Sequence, residues 1–134
     1  MATTFEARHI SIEIERSSKE VYDFISGGAN LPQWASGLGN SFRRNGEEWV
    51  VEGPVGTAKV RFARPNEFGV ADQYVTLETG VTVHNPIQVI PNGTGSTVTF
   101  TLLRLEGVSE QKFNDDAKWV EKDFATLKAL LERR

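Results

Sequence analysis

The sequence predicts an α+β domain, a meander of antiparallel strands followed by one long C-terminal helix, on three observations. Ser109 carries the short hydroxyl that satisfies orphan backbone donors at a helix start, and no Gly or Pro interrupts the chain from there to Arg134. Within that run Phe113, Ala117, Val120, Phe124, Leu127 and Leu131 follow one another at spacings of three and four, which places all of them on one stripe of a helix. Between Asn40 and Leu105, short apolar runs alternate with Gly-, Asn- and Pro-containing turns, the pattern of about six consecutive strands with short connections.

The elements follow in order. His9 to Glu15 alternate strictly, with Ile10, Ile12 and Ile14 on one face, so the chain opens on a half-buried strand. Ser17 and Glu20 are spaced for a capping box ahead of Val21, Phe24 and Ile25, and Gly27-Gly28 stops the short helix that follows. A second short helix is expected near Asn30, with Pro32 in its first turn, where a donor is not needed, and with Gly37 and Gly39 at its end. Asn45-Gly46 is a two-residue hairpin signal joining a strand over Asn40 to Arg44 to one over Glu47 to Glu52. Gly53-Pro54-Val55-Gly56 breaks the chain again, after which Ala58, Val60 and Phe62 alternate with Thr57, Lys59 and Arg61. Arg64-Pro65-Asn66-Glu67 turns into a strand from about Val70 to Leu77, and Glu78-Thr79-Gly80 turns into one from Val81 to Ile90. Pro86 lies inside the latter; proline cannot donate to a ladder, so a bulge or an edge is expected there. Pro91 to Ser96 reads as a Gly-rich hairpin loop, and Thr97 to Leu105 closes the set with Val98, Phe100 and Leu102 on one face. In the terminal helix Glu110, Asp115 and Asp116 near the start and Arg133 and Arg134 at the end complement the helix dipole.

With 134 residues, 39% hydrophobic and 25% charged, and with no repeat or linker, residues 1–134 read as a single domain. The formal charge is −3, and no basic cluster exceeds the pairs Arg43-Arg44 and Arg133-Arg134, so no nucleic-acid partner is expected. The absence of cysteine excludes disulfides, thiolate metal sites and cysteine nucleophiles. Met1 to Ala7 lack the pattern of a signal peptide and no apolar run approaches a bilayer span, so a cytoplasmic protein without a membrane span is expected. His9, His84 and the scattered carboxylates show no ligand spacing, so neither a metal nor a cofactor is expected.

The order of strand, two short helices, consecutive strands and long helix resembles the helix-grip fold of the SRPBCC, or START-like, superfamily, which includes the birch-pollen allergen and the polyketide cyclases. Glu20-Val21-Tyr22-Asp23-Phe24-Ile25 is similar to its first short helix, Leu31-Pro32-Gln33-Trp34 to its tryptophan-bearing second one, and Val89 to Leu102 to its penultimate hairpin. The resemblance runs from about His9 to Leu131. It implies a curved seven-stranded antiparallel sheet wrapped around the long C-terminal helix, with two short helices after the first strand plugging one end and an apolar cavity between helix and sheet. It further implies a small hydrophobic or aromatic ligand in that cavity, with Trp34, Trp49, Phe62, Tyr74, Phe100, Val120 and Phe124 as its lining. Other branches of the superfamily offer two alternatives, a polyketide cyclase/dehydratase-like enzyme using the same cavity and a co-chaperone-like partner-binding module; a homodimer is compatible with each.

The middle of the terminal helix, around Val120 and Phe124, is expected to face the cavity while the ends are packed shut. Trp119 lies off the stripe and is either a cavity wall, a dimer contact or a partly exposed aromatic at the helix flank. Trp34 either gates the cavity mouth or packs the plug. His84 is the obvious acid or base by residue type, but the alternation Val81, Val83, Asn85, Ile87, Val89 places it on the solvent side unless Pro86 resets the register. Arg61, Asp72, Tyr74 and Arg104 are polar residues on strands: two of them converging inside would make an acid/base or carboxylate-binding pair, whereas a solvated sheet face with cross-strand pairing is the alternative. No nucleophile motif, phosphate loop or spaced carboxylate pair accompanies them.

Overall fold

The computed structural model describes residues 2–36, 38–53 and 56–134. Strand β1 (Ala7–Ile14) buries Ile10 and Ile14 and half-buries Ile12, as its alternation requires. Helix α1 (Ser18–Ile25) begins at Ser17, whose Oγ accepts from the Glu20 amide at 3.2 Å, and turns Val21, Phe24 and Ile25 into the core. A 3-10 turn (Gly28–Asn30) leads directly into α2 (Leu31–Trp34), with Pro32 in its first turn; Gly37, expected at its end, lies outside the described residues.

Five strands then pair antiparallel in chain order: β2 (Ser41–Asn45), β3 (Glu48–Gly53), β4 (Gly56–Phe62), β5 (Gln73–Thr76) and β6 (Thr82–Asn85). A second sheet has the order β1-β8-β7, with β7 (Ile87–Asn92) and β8 (Gly95–Leu103) joined by a hairpin. The strand expected from Val81 to Ile90 is therefore divided at Pro86, and the count differs by one from the seven expected. Val83 pairs with Val75 of β5, whereas Ile87 pairs with Phe100 of β8. Proline supplies no N–H to the first ladder, while its carbonyl still accepts from the Thr101 amide at 3.0 Å. The Ile87 amide donates to Asp72 Oδ1 at 2.9 Å, so a side chain bridges the gap at Pro86 before the pairing resumes with Val70 opposite Gln88. The faces do not flip: Val83, Asn85, Ile87 and Val89 all remain on the inner side.

Two of the hairpin turns differ by a residue or more from those expected. Asn45 pairs with Glu48, leaving Gly46-Glu47 as the turn, with Gly46 at φ +66° and no positive φ at Glu47. Asn92 pairs with Gly95, leaving Gly93-Thr94 with Gly93 at φ +61°; Pro91 and Ser96, expected in a loop, are paired. Glycine at the first central position and an ordinary residue at the second define a type II′ turn, which matches the twist of its strands. Of the break expected at Gly53-Pro54-Val55-Gly56, Gly53 and Gly56 pair with each other and Pro54 and Val55 lie outside the described residues.

Of the strand expected from about Val70, β5 begins only at Gln73 because the register sets Asp72 opposite Pro86, which has no N–H to give; Val70 still bridges Gln88 in that register, and the loop before it is tied to itself by Asn66. Its Nδ2 donates to the Arg64 and Val70 carbonyls at 2.8 and 2.9 Å, and its Oδ1 accepts from the Phe68 and Val70 amides at 3.0 and 3.1 Å.

Helix α3 (Glu110–Glu132) is capped by Ser109, whose Oγ accepts from the Lys112 amide at 3.1 Å. Phe113, Ala117, Phe124, Leu127 and Leu131 are buried on its stripe and Val120 is half-buried. The C-terminal end is fastened to the first strand and the turn after it. Lys128 Nζ donates to the Glu13 carbonyl at 2.7 Å, the Glu15 amide donates to Glu132 Oε2 at 2.8 Å, and Arg16 donates to the Glu132 carbonyl at 2.9 Å and to that of Arg134. Arg133 caps the helix and Arg134 lies beyond it, with its guanidinium 4.8 Å from the centre of the Phe24 ring.

Candidate ligand cavity between the terminal helix and the sheet

Strands place alternate residues on opposite faces, and the pairing register extends each face across the sheet. Trp49, Val60, Val75 and Val83 form one inward row; Phe62, Gln73 and Asn85 form the next. The outward row between them is Arg61, Tyr74 and His84. Helix α3 runs along β1, with the Arg8 guanidinium 4.5 Å from the centre of the Phe113 ring near its start and Lys128 on the Glu13 carbonyl near its end, and its residues from Lys112 to Phe124 wall a cavity of about 430 Å³ against the inner face of the sheet. The floor is apolar and buried, formed chiefly by Trp34, Ala35, Ile87, Phe100 and Phe124. Around the mouth stand Leu77 and Val81 beside the β5–β6 turn, Leu103, Leu105 and Val108 of the β8–α3 connection, and Lys112, Asp116 and Trp119 of the helix. Lys112 and Asp116 form an ion pair across one helical turn.

Three polar side chains reach the buried part of the wall. Gln73 is 3% exposed, Trp34 4% and Asp123 8%. Asp123 Oδ1 accepts from Ser36 Oγ at 2.8 Å, and Asp123 is the only buried charged residue among those described. Trp34 Nε1 and Gln73 Nε2 are buried without a hydrogen-bond partner among the described residues. Desolvating a donor without a partner is costly, so two such donors on one cavity wall are a departure from ordinary core chemistry.

Of the residues expected to line the cavity, Trp34, Phe100, Val120 and Phe124 do so. The Phe100 and Phe124 rings meet edge to face with centroids 6.4 Å apart. Trp49, Phe62 and Tyr74 are elsewhere. Trp49 is on the inner face, but its indole occupies the space over Gly28, where a Cβ would stand 2.0 Å from Trp49 Nε1. Phe62 packs half-buried against the core outside the cavity. Tyr74 points outward because its neighbours Gln73 and Val75 point inward. There it stacks on His84 with centroids 4.7 Å apart and planes 4° from parallel, and the Arg61 guanidinium lies 4.8 Å from its ring centre. His84 Nε2 is 2.7 Å from Asp72 Oδ2. Arg61, Asp72, Tyr74 and His84 thus do come together, on the outer face of the sheet rather than in the cavity.

Arg104 is held by its own loop, Nε donating to the Val108 carbonyl at 2.9 Å and one terminal nitrogen lying 3.5 Å from Glu6. Trp119 is both a cavity wall and an exposed aromatic: it is 46% exposed at the rim, with Lys122 Nζ 4.4 Å from its ring centre. Sequence reasoning missed Gln73 and Asp123. A signal for Asp123 was present, since Lys112, Asp116, Trp119 and Asp123 repeat the four-three-four spacing of the apolar stripe one residue out of phase. Among the described residues no cluster of His, Asp or Glu could hold a metal ion, and no helix is long and apolar enough to cross a membrane.

No protein-family model and no curated protein matches the sequence. Several solved structures match its fold. A conserved protein from Geobacillus kaustophilus is 14% identical, with a TM-score of 0.75 over 96% of this chain and 96% of that one. The Aha1 protein of Colwellia psychrerythraea, solved as a dimer, is 14% identical with a TM-score of 0.69, over 92% and 93% of the two chains. Ara h 8.0201, a Bet v 1-like allergen, is 11% identical with a TM-score of 0.64, over 96% and 99%. At these identities the likeness establishes architecture, and the chain has the helix-grip fold that its element order implies.

Proposed function

We propose that the protein binds a small, largely apolar molecule in the cavity between α3 and the inner face of the sheet. The observation that carries this reading is a buried apolar floor joined to an apolar mouth. Three of the six large hydrophobic residues exposed among those described, Val81, Leu103 and Trp119, stand at that mouth. Exposed apolar surface gathered at one opening favours an apolar occupant, and a volume of about 430 Å³ suits a two- or three-ring molecule.

Titration with the neutral dye N-phenyl-1-naphthylamine tests it. Fluorescence should rise to saturation at one dye per chain. Val120→Trp, which extends a half-buried wall residue into the cavity, should abolish the rise while circular dichroism shows a folded protein. Absence of saturable uptake by the wild-type protein, or uptake unchanged in a folded Val120→Trp variant, refutes the reading.

A further inference from the structure

We infer that the molecule bound in this cavity carries a neutral carbonyl group with a hydrogen-bond donor beside it, as in an amide, and that the site discriminates against carboxylates. The inference rests on the ligand-binding reading above and concerns the buried polar residues of the same cavity wall. Its basis is that three buried polar residues from three different elements line this one cavity: Trp34 from α2, Gln73 from β5 and Asp123 from α3.

The indole and amide nitrogens, Trp34 Nε1 and Gln73 Nε2, are donors without partners among the described residues, on side chains more than nine-tenths buried. If these positions served packing alone, Phe and Leu would fill them without the loss of hydration that each donor incurs. A carbonyl oxygen brought by a ligand accepts from such donors. The Asp123 carboxyl, which accepts from the Ser36 hydroxyl at 2.8 Å, is the acidic acceptor on the same wall that a complementary donor would face. A ligand carboxylate would satisfy the nitrogens but would bring a second acidic group against Asp123. A pure hydrocarbon would leave both nitrogens unsatisfied. The rest of the floor, Phe100, Phe124 and Ile87, accommodates an apolar ring.

Three probes that share one ring system separate these cases: 2-naphthamide, 2-naphthoate and 2-ethylnaphthalene, titrated calorimetrically into the wild-type protein at neutral pH. Naphthamide should bind about tenfold more tightly than either of the others, the effect of one net hydrogen bond. Asp123→Asn should raise naphthoate affinity about tenfold relative to ethylnaphthalene, and Gln73→Leu should bring naphthamide down toward ethylnaphthalene. Equal binding of the three probes, or preference for naphthoate, overturns the inference and leaves the ligand-binding reading standing. So does failure of naphthamide where N-phenyl-1-naphthylamine binds. Failure of all three probes together with that dye removes both.

Discussion

Gln73 and Phe124 face each other across the question of whether the cavity wall is built for stability or for recognition. In Gln73 a buried donor goes without a partner among the described residues, so Gln73→Leu, which keeps most of the volume and removes the polar group, should stabilise the ligand-free protein by about 1 kcal/mol. The urea midpoint should rise even as amide selectivity falls; a lower midpoint would mean that the amide is satisfied in the folded protein. Phe124 is buried against Phe100, and Phe124→Ala should cost about 3–5 kcal/mol while enlarging the cavity. Loss of stability with no change in dye uptake would make Phe124 structural only. Trp49 belongs to a different economy of space: because a Cβ at Gly28 would collide with its indole, Gly28→Ala should cost about 1–3 kcal/mol, checked by urea unfolding followed through tryptophan fluorescence. These residues also mark what a sequence can reveal at this scale. The inward face of Ala71, Val75 and Leu77 already sets Tyr74 outside, so its position was legible from alternation and its aromatic ring misled. The contact between Trp49 and Gly28 joins a strand to a turn some twenty residues earlier, and no local pattern encodes it.

At the scale of elements, Pro86 and Asp72 act together. Pro86 ends the pairing of β6 with β5, and Asp72 accepts the Ile87 amide that opens β7, so a side chain fills the gap beside the backbone bonds from Ala71 to the Ile87 carbonyl and from Val89 to the Gly69 carbonyl that join the two sheets at the bend. Asp72→Ala should leave that partly buried amide without its acceptor and cost about 1–3 kcal/mol. Asp72→Asn retains an oxygen for Ile87 and should cost less, and the Ile87 amide should exchange with deuterium faster in the alanine variant alone. Equal exchange in both variants would show that the bend holds without the carboxylate. The order and type of the elements were legible because each carries its own punctuation: Ser17 and Ser109 as caps, Gly27-Gly28 as a stop, and Pro86 as a break. Strand ends were less so. Asn45-Gly46 signals a turn with both residues at the centre, yet cross-strand pairing of Asn45 with Glu48 shifts Gly46 to the first central position. The β5 boundary lies opposite Pro86, a long-range pairing that hydrophobic periodicity does not register, and the four hydrogen bonds of Asn66 shape only the loop before it. The cavity was foreseeable as a consequence of the fold, and Val120 and Phe124 in the middle of α3 do wall it.

Across the whole molecule, the last turn of α3 is fastened to the end of the first strand through a carboxylate, and that fastening is expected to weaken in acid. Glu132 lies at the close of α3 with its carboxylate shared between Lys128 Nζ at 2.9 Å and the Glu15 amide at 2.8 Å, joining the last helical turn to the end of the first strand. The hydrogen bond from Lys128 first, and then that from the Glu15 amide, hold its carboxyl below the ordinary value of 4.5. A carboxyl whose folded-state value is depressed binds protons more readily in the unfolded chain. Its stabilising contribution is therefore complete above the unfolded value and disappears as pH falls through the lower folded value. Glu132→Gln removes the charge while keeping an oxygen for the Glu15 amide. The wild-type protein should accordingly melt at a higher temperature than Glu132→Gln at neutral pH, and the difference should begin to shrink once the pH drops below 4.5. Thermal unfolding of the two proteins across that interval measures it directly, and curves that remain parallel down to about pH 2 would show that Glu132 contributes nothing through its ionisation.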